Sequence, residues 1–239
     1  MHLILPGDHH ALTCHDVDYL TDCLGVNGAE QAQFRALLTD PDALDVMLDS
    51  DQLYRRLIAG QEQPFSTQLF FFVLIRRALV EVGLDHREVA DYLANLLTAY
   101  ANAPSSQPPT TPEALETGYL ADLLRASAKG SRESRFFIRS HIANYALYIT
   151  GIFPERLRYR SLHRATPDFA YFEELAQSNY RACAEDPLAL QFGLQDVYEV
   201  LARHYHAVRV ALNRVAELQL YHGQPHVNHN AILADVVKP

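Results

Sequence analysis

Ser66-Thr67-Gln68-Leu69-Phe70-Phe71-Phe72-Val73-Leu74-Ile75-Arg76-Arg77-Ala78-Leu79-Val80-Glu81-Val82 is the most hydrophobic stretch of the chain. Its seven consecutive apolar residues, Leu69 to Ile75, fit a buried strand as well as a buried helix. The apolar pattern resumes through Ala78, Leu79 and Val80, however, and that continuation is too long for an ordinary strand. Ser66 offers the side-chain oxygen that an N-cap needs. The spacing therefore predicts a helix over Thr67–Val82. It is apolar around nearly its whole circumference, so other helices must surround it.

Helix signals continue on both sides. Upstream, Thr13-x-x-Asp16 and Asn27-x-x-Glu30 place a capping side chain and an acid before helical patterns. Val17, Leu20 and Leu24 form a stripe closed by Gly25, Phe34, Leu37 and Leu38 form a second, and Asp40-Pro41 opens a third with proline at the tolerated first position. Leu53, Leu57 and Ile58 give a fourth. Downstream, Asp85 is predicted to cap a helix carrying Val89, Leu93, Leu96 and Tyr100. Leu115, Tyr119, Leu123 and Leu124 follow, and Ser131 opens a long helix through Ile138, Ile142, Tyr145 and Ile149 that Gly151 and Pro154 are expected to end. Asp168 caps the next. Leu194, Val197, Leu201, Tyr205, Val208, Leu212 and Val215 then step in threes and fours, a helix of about 28 residues and roughly 42 Å. The fold class read from these patterns is all-α, a compact multi-helix bundle of about eight to ten helices around a buried central hydrophobic helix. Four prolines between Pro104 and Pro112 cannot continue a helix. We expect a single helical domain, 1–239, with a proline-rich surface loop at 103–112; the alternative is two helical subdomains, 1–103 and 113–239.

The chain has 239 residues, 49% of them hydrophobic, and a net charge of −9. A core can form at this size without a disulfide or a structural metal, and the three cysteines, Cys14, Cys23 and Cys183, are scattered. A reducing compartment suits that usage, and the amino terminus lacks the positive region of a secretory signal, so the expected location is the cytoplasm. No apolar run approaches the roughly 20 residues of a membrane helix. Neither membrane association nor general nucleic-acid binding is expected.

Charge is unevenly spread. Residues 1–128 carry a net −11, residues 129–164 a net +6 and residues 165–239 a net −4. Within the basic segment, Arg132, Arg135 and Arg139 share a helix face, and Arg156, Arg158, Tyr159, Arg160 and Arg164 crowd the stretch after the break. Arginine and tyrosine together can hold a phosphate or carboxylate and stack on a planar group. These eight residues are the candidate ligand-binding set, for an acidic protein surface or a small anionic ligand. Internal pairing with the acidic first half is the alternative.

Histidines form the other candidate. His9 and His10 stand with Cys14 and His15 near the amino terminus, and His222, His226 and His229 lie in a turn-rich stretch near the carboxy terminus. The latter trio is the alternative metal set. His204 and His206 would project to opposite sides of a helix. Asp8-His9-His10 resembles the signature of the DHH phosphoesterases and His15-Asp16 the dipeptide of the HD-domain phosphohydrolases. The first requires an α/β sheet and the second a metal-binding histidine well upstream, so neither resemblance carries residue roles. Zincin and di-iron spacings, glycine-rich phosphate loops and nucleophile elbows are all missing from the sequence. Ser140-His141 is read as a core pair and Glu173-Glu174 as a solvated face. The expectation is a cytosolic helical interaction or regulatory protein acting through residues 129–164, without a cofactor. The alternative is a metal-assisted enzyme using histidines near the termini. The last helix can pack internally or against a second copy, so a homo-oligomer stays open.

Overall fold

The computed structural model describes residues 3–25, 28–59, 66–101, 117–163 and 167–222. All of its regular structure is helical. The order is α1 (Cys14–Cys23), a short 3-10 turn (Gly28–Glu30), α2 (Gln31–Leu37), α3 (Pro41–Leu48), α4 (Asp51–Ala59), α5 (Thr67–Glu81) and α6 (Arg87–Ala101). Beyond the proline-rich stretch come α7 (Thr117–Lys129), α8 (Arg132–Ile152), α9 (Pro154–His163), α10 (Phe169–Ala184), α11 (Pro187–Gln191) and α12 (Gln195–His222). The twelve α-helices among the described residues exceed the expected eight to ten by α9 and α11. Both are short, open on a proline at the first position and lack a long apolar stripe, so periodicity does not announce them.

Capping follows the sequence at five starts. Thr13 and Asp16 form a reciprocal capping box on α1, and Asp40, Ser66, Ser131 and Asp168 each accept from a first-turn N–H of α3, α5, α8 and α10. Asp16 does more than cap. Its Oδ2 accepts from Thr13, while its Oδ1 accepts from the backbone N–H of Ser66 at 2.6 Å, tying the start of α1 to the start of α5. Two expectations need correction. The cap of α6 is His86, whose Nδ1 accepts from the N–H of Val89 at 3.4 Å, because Asp85 is drawn instead to the Arg76 guanidinium. Gly151 does not end α8, which runs on to Ile152, and Pro154 opens α9. Gly151 is there because α12 crosses closely: a Cβ at this position would stand 2.8 Å from Cβ of Leu212. Asn27, the proline-rich stretch and Pro112 lie outside the described residues.

Helix α5 is central, with Phe72, Val73, Leu74 and Ile75 no more than 2% exposed. It packs on α6 and α12, while α8 packs on α10, α12 and α7, so helices from both sides of the proline-rich stretch share one hydrophobic cluster. Eight tyrosines among the described residues are buried within it, of which Tyr92, Tyr145, Tyr180, Tyr198 and Tyr205 are the most enclosed. A buried hydroxyl without a partner is costly. Asn144 on α8 accepts from Tyr92 and Tyr180 through one oxygen at 2.7 and 2.8 Å, Ser140 bonds Tyr198 at 2.7 Å, and Thr150 bonds Tyr205 at 2.8 Å. Helix α12 bends at His204, where the backbone leaves helical geometry. Past the bend, the side-chain amide of Asn213 donates to the carbonyls of Thr150 and Gly151, which satisfies the end of α8. No helix among the described residues is long and apolar enough to cross a membrane.

Candidate metal centre

The segment before α1 lies as a strap across α5 and α6. Its Leu3, Ile4 and Leu12 pack against the core, and the carbonyl of Leu5 accepts from the Asn95 amide at 3.1 Å. A Cβ at Gly7 would displace the Gln68 side-chain amide, which lies against this part of the strap. A tight turn follows. Oδ1 of Asp8 accepts from the N–H of His10 at 3.0 Å and its carbonyl accepts from the N–H of Ala11 at 3.0 Å, an arrangement typical of an Asx turn. The turn presents His9 and His10 to the body of the protein.

His9 enters deepest, its side chain only 8% exposed and its ring stacked on Phe72 at 4.4 Å and 4°. Nδ1 of His9 meets Oδ2 of Asp91 on α6 at 2.5 Å, and Nε2 meets Oδ1 of Asp45 on α3 at 2.8 Å. Nε2 of His10 reaches the same Asp45 oxygen at 3.1 Å. The other oxygen of Asp45 is 3.0 Å from Nε of Arg87. Burial alone would depress the pKa of His9, yet the hydrogen bonds and charges of Asp91 and Asp45 outweigh it and raise the imidazole above its ordinary value. Asp45 shows the converse. Burial raises its carboxyl, but His9, His10 and Arg87 bring it below the usual range.

His9, His10 and Asp45 are the one group of three among the described residues whose ligand atoms converge closely enough to hold a metal ion, all within 4.8 Å of one another. An ion at the usual distance of about 2.0–2.1 Å, with tetrahedral angles, sets ligand atoms roughly 3.3 Å apart. The 2.8 and 3.1 Å separations from Asp45 fall a few tenths of an ångström short of that value, and the histidine nitrogens lie within 4.8 Å of each other. Asp91 occupies the position of an outer carboxylate, bonded to the ring nitrogen that a metal would leave free, which orients the imidazole. Its second oxygen is buried without a hydrogen-bond partner. Arg87 engages the outer oxygen of Asp45 and leaves Oδ1 to face the histidines.

The other candidates are dispersed. Cys14 and His15 stand exposed at the start of α1, and the Asp16 beside them is occupied as a cap and tether. His204 and His206 are exposed on α12. His222 ends α12, and His226 and His229 lie outside the described residues. Ser140 is bonded to Tyr198, and burial pushes its neighbour His141 down to about 4. Glu173 is half-buried, 3.8 Å from both His206 and Arg209, whereas Glu174 is exposed.

The basic segment separates into two regions. Arg132, Arg135 and Arg139 begin α8, which at 21 residues is about 31 Å long, while α9 starts beyond its other end. Arg132 grips Asp186 through two nitrogens at 3.2 and 3.3 Å. Arg135 is exposed and Arg139 half-buried. On α9, Arg158 pairs with Glu155 at 2.6 Å and lies over the Phe169 ring, Arg156 is half-buried, and Tyr159 is exposed. Arg160 belongs to the same helix, and Arg164 falls outside the described residues.

Sequence reasoning named His9 and His10 but missed Asp45, Asp91 and Arg87. The available signal was Asp91 itself, an acid set inside Val89-Ala90-Asp91-Tyr92-Leu93, where burial demands a partner. Nothing local pointed to Asp45. The chain matches no protein-family model, no curated protein and no solved structure.

Proposed function

We propose that this chain binds one divalent transition-metal ion, with Nε2 of His9, Nε2 of His10 and Oδ1 of Asp45 as ligands. The convergence of these three atoms, with Asp91 fixing the buried imidazole, carries the reading. Three protein ligands leave a coordination position open, as in catalytic rather than structural zinc sites. His10 and Asp45, with side chains 35% and 22% exposed, form the side from which water or substrate can approach. An ion held there supplies Lewis acidity and an activated water, so this reading favours a metal-assisted enzyme. Elemental analysis of untagged protein, purified without chelator, is expected to give close to one zinc, manganese or iron per chain. His9→Ala, His10→Ala and Asp45→Asn each lose the metal, and Asp91→Asn retains the site with affinity lowered about 10–100-fold. A wild-type protein that takes up none of these ions on titration overturns the reading.

The exposed face of α9 supports a second reading, an acidic partner surface. There Arg158, Tyr159 and Leu162 stand 61%, 59% and 80% exposed on one side of a short helix. Loss of that partner on salt addition would accompany such an ionic contact.

A further inference from the structure

Between the end of α3, the start of α4 and α5 lies a cavity of about 270 Å³, below the roughly 300–1,000 Å³ of pockets for drug-sized ligands. Leu48, Val73 and Val80 give it apolar walls, and Arg76 brings a guanidinium to it. That guanidinium sits in the middle of the most hydrophobic helix, with its side chain 6% exposed, where a charge must be paired.

The two edges of the guanidinium are held differently. Nε and Nη2 donate to the two oxygens of Asp49, at 3.2 and 3.3 Å, in a fork contributed by the end of α3. Asp49 is shared, since Nη2 of Arg87 also donates to it at 2.6 Å. The remaining nitrogen of Arg76, Nη1, is buried and lacks an aligned hydrogen bond. Its counter-charge is Oδ1 of Asp85 at 2.6 Å, and Asp85 belongs to the turn between α5 and α6 with its side chain 81% exposed. A surface carboxylate thus reaches onto a buried cation at the wall of a small cavity whose lining is part apolar and part charged. A dissolved carboxylate can make the same contact, and one with a short hydrocarbon tail also gains the apolar walls.

We propose that this cavity binds a small monocarboxylate, its carboxylate replacing Asp85 on Arg76 Nη1 and its tail lying against Leu48, Val73 and Val80. Asp85 is then an internal competitor. It holds the guanidinium in the free protein and swings into solvent when the ligand enters. Removing its charge leaves the buried nitrogen without a counter-ion and strengthens binding.

Benzoate is the probe, titrated against wild type and Asp85→Asn in a thermal-shift assay. Both are kept in EDTA so that no metal-bound carboxylate contributes, and ionic strength is held constant with chloride. The proposal expects a saturable rise in melting temperature, with half-saturation at least about tenfold lower for Asp85→Asn than for wild type. Benzyl alcohol, which has the ring without the charge, gives no such rise. Val80→Trp, filling the cavity from its exposed rim without adding a charge, abolishes the response. Equal half-saturation in the two proteins, or a response to benzoate no larger than to chloride, overturns the site. A stronger response to inorganic phosphate than to benzoate overturns the ligand class.

Discussion

At the scale of single residues, the protein spends its polar groups on tying distant segments together. Asp16 caps one helix and anchors another, Asn213 closes the end of α8, and His9 joins the strap to α3 and α6. Gly151 does the opposite by having no side chain at the crossing of α8 and α12. Gly151→Ala would gain about 1 kcal/mol in helix propensity. It would also press a methyl against the Cβ and Cδ1 of Leu212 at 2.8 and 2.9 Å, and overpacking of this kind costs about 1–3 kcal/mol. The backbone-borne Cβ of Leu212 has no rotamer by which to withdraw, so the steric cost is expected to win. Urea unfolding should show a lower midpoint with an unchanged slope. A variant as stable as wild type would mean that the two helices are farther apart than described. The residue patterns announced the caps of α1, α3, α5, α8 and α10, because an N-cap is a local contact. They assigned Gly151 to a helix stop because a glycine required by a neighbour looks the same in sequence as one required by a turn.

At the scale of elements, α8 combines apolar and polar positions within the core. Asn144, Ser140 and Thr150 satisfy tyrosines of facing helices, while His141 has been driven by burial to a pKa of about 4. Its unfolded value is about 6.5, so the folded state resists the proton that the unfolded chain accepts. The contribution to stability is complete above about pH 6.5 and falls away as the pH drops towards 4, then levels off. The span corresponds to at most about 3 kcal/mol. His141→Gln should flatten the stability profile between pH 6.5 and 4.5, measured by urea unfolding at each pH. An undiminished slope would assign the acid sensitivity to other groups. Helix α5 was legible from its own residues because an all-round apolar helix has one stable setting, surrounded by others. Helices α9 and α11 were not legible, since five to ten residues with mixed polarity carry no periodic signal.

At the scale of the whole molecule, α12 brings the chain before the proline-rich stretch together with the chain after it, through α5 and α6 on one side and α8 and α10 on the other. Charge is arranged on this frame in two ways. The acids of the first half gather around Arg76, Arg77 and Arg87, whereas Arg132 and Arg158 face outward with one acid each. Exposed pairs are worth about 0–1 kcal/mol. Replacing Arg156, Arg158, Arg160 and Arg164 together with Gln is therefore expected to leave the melting temperature within a few degrees of wild type at low and moderate salt. A large loss would mean that these arginines hold the fold together and would remove the acidic-partner reading.

The helical class, the position of the buried helix and the caps of five helices are legible in the residue pattern alone. Each depends on spacings of three and four residues or on a cap within one turn, interactions that a linear pattern contains in full. The grouping of His9, His10 and Asp45, and the placing of Arg76 at its cavity, arise only when the helices pack. His9 acquires meaning from Asp45 and Asp91, 36 and 82 residues away, and Arg76 from Asp49 and Asp85 on two other segments. Histidine, aspartate and arginine are common surface residues. What makes these ones chemically distinct is burial and a partner's angle of approach, and both are set only when the helices pack.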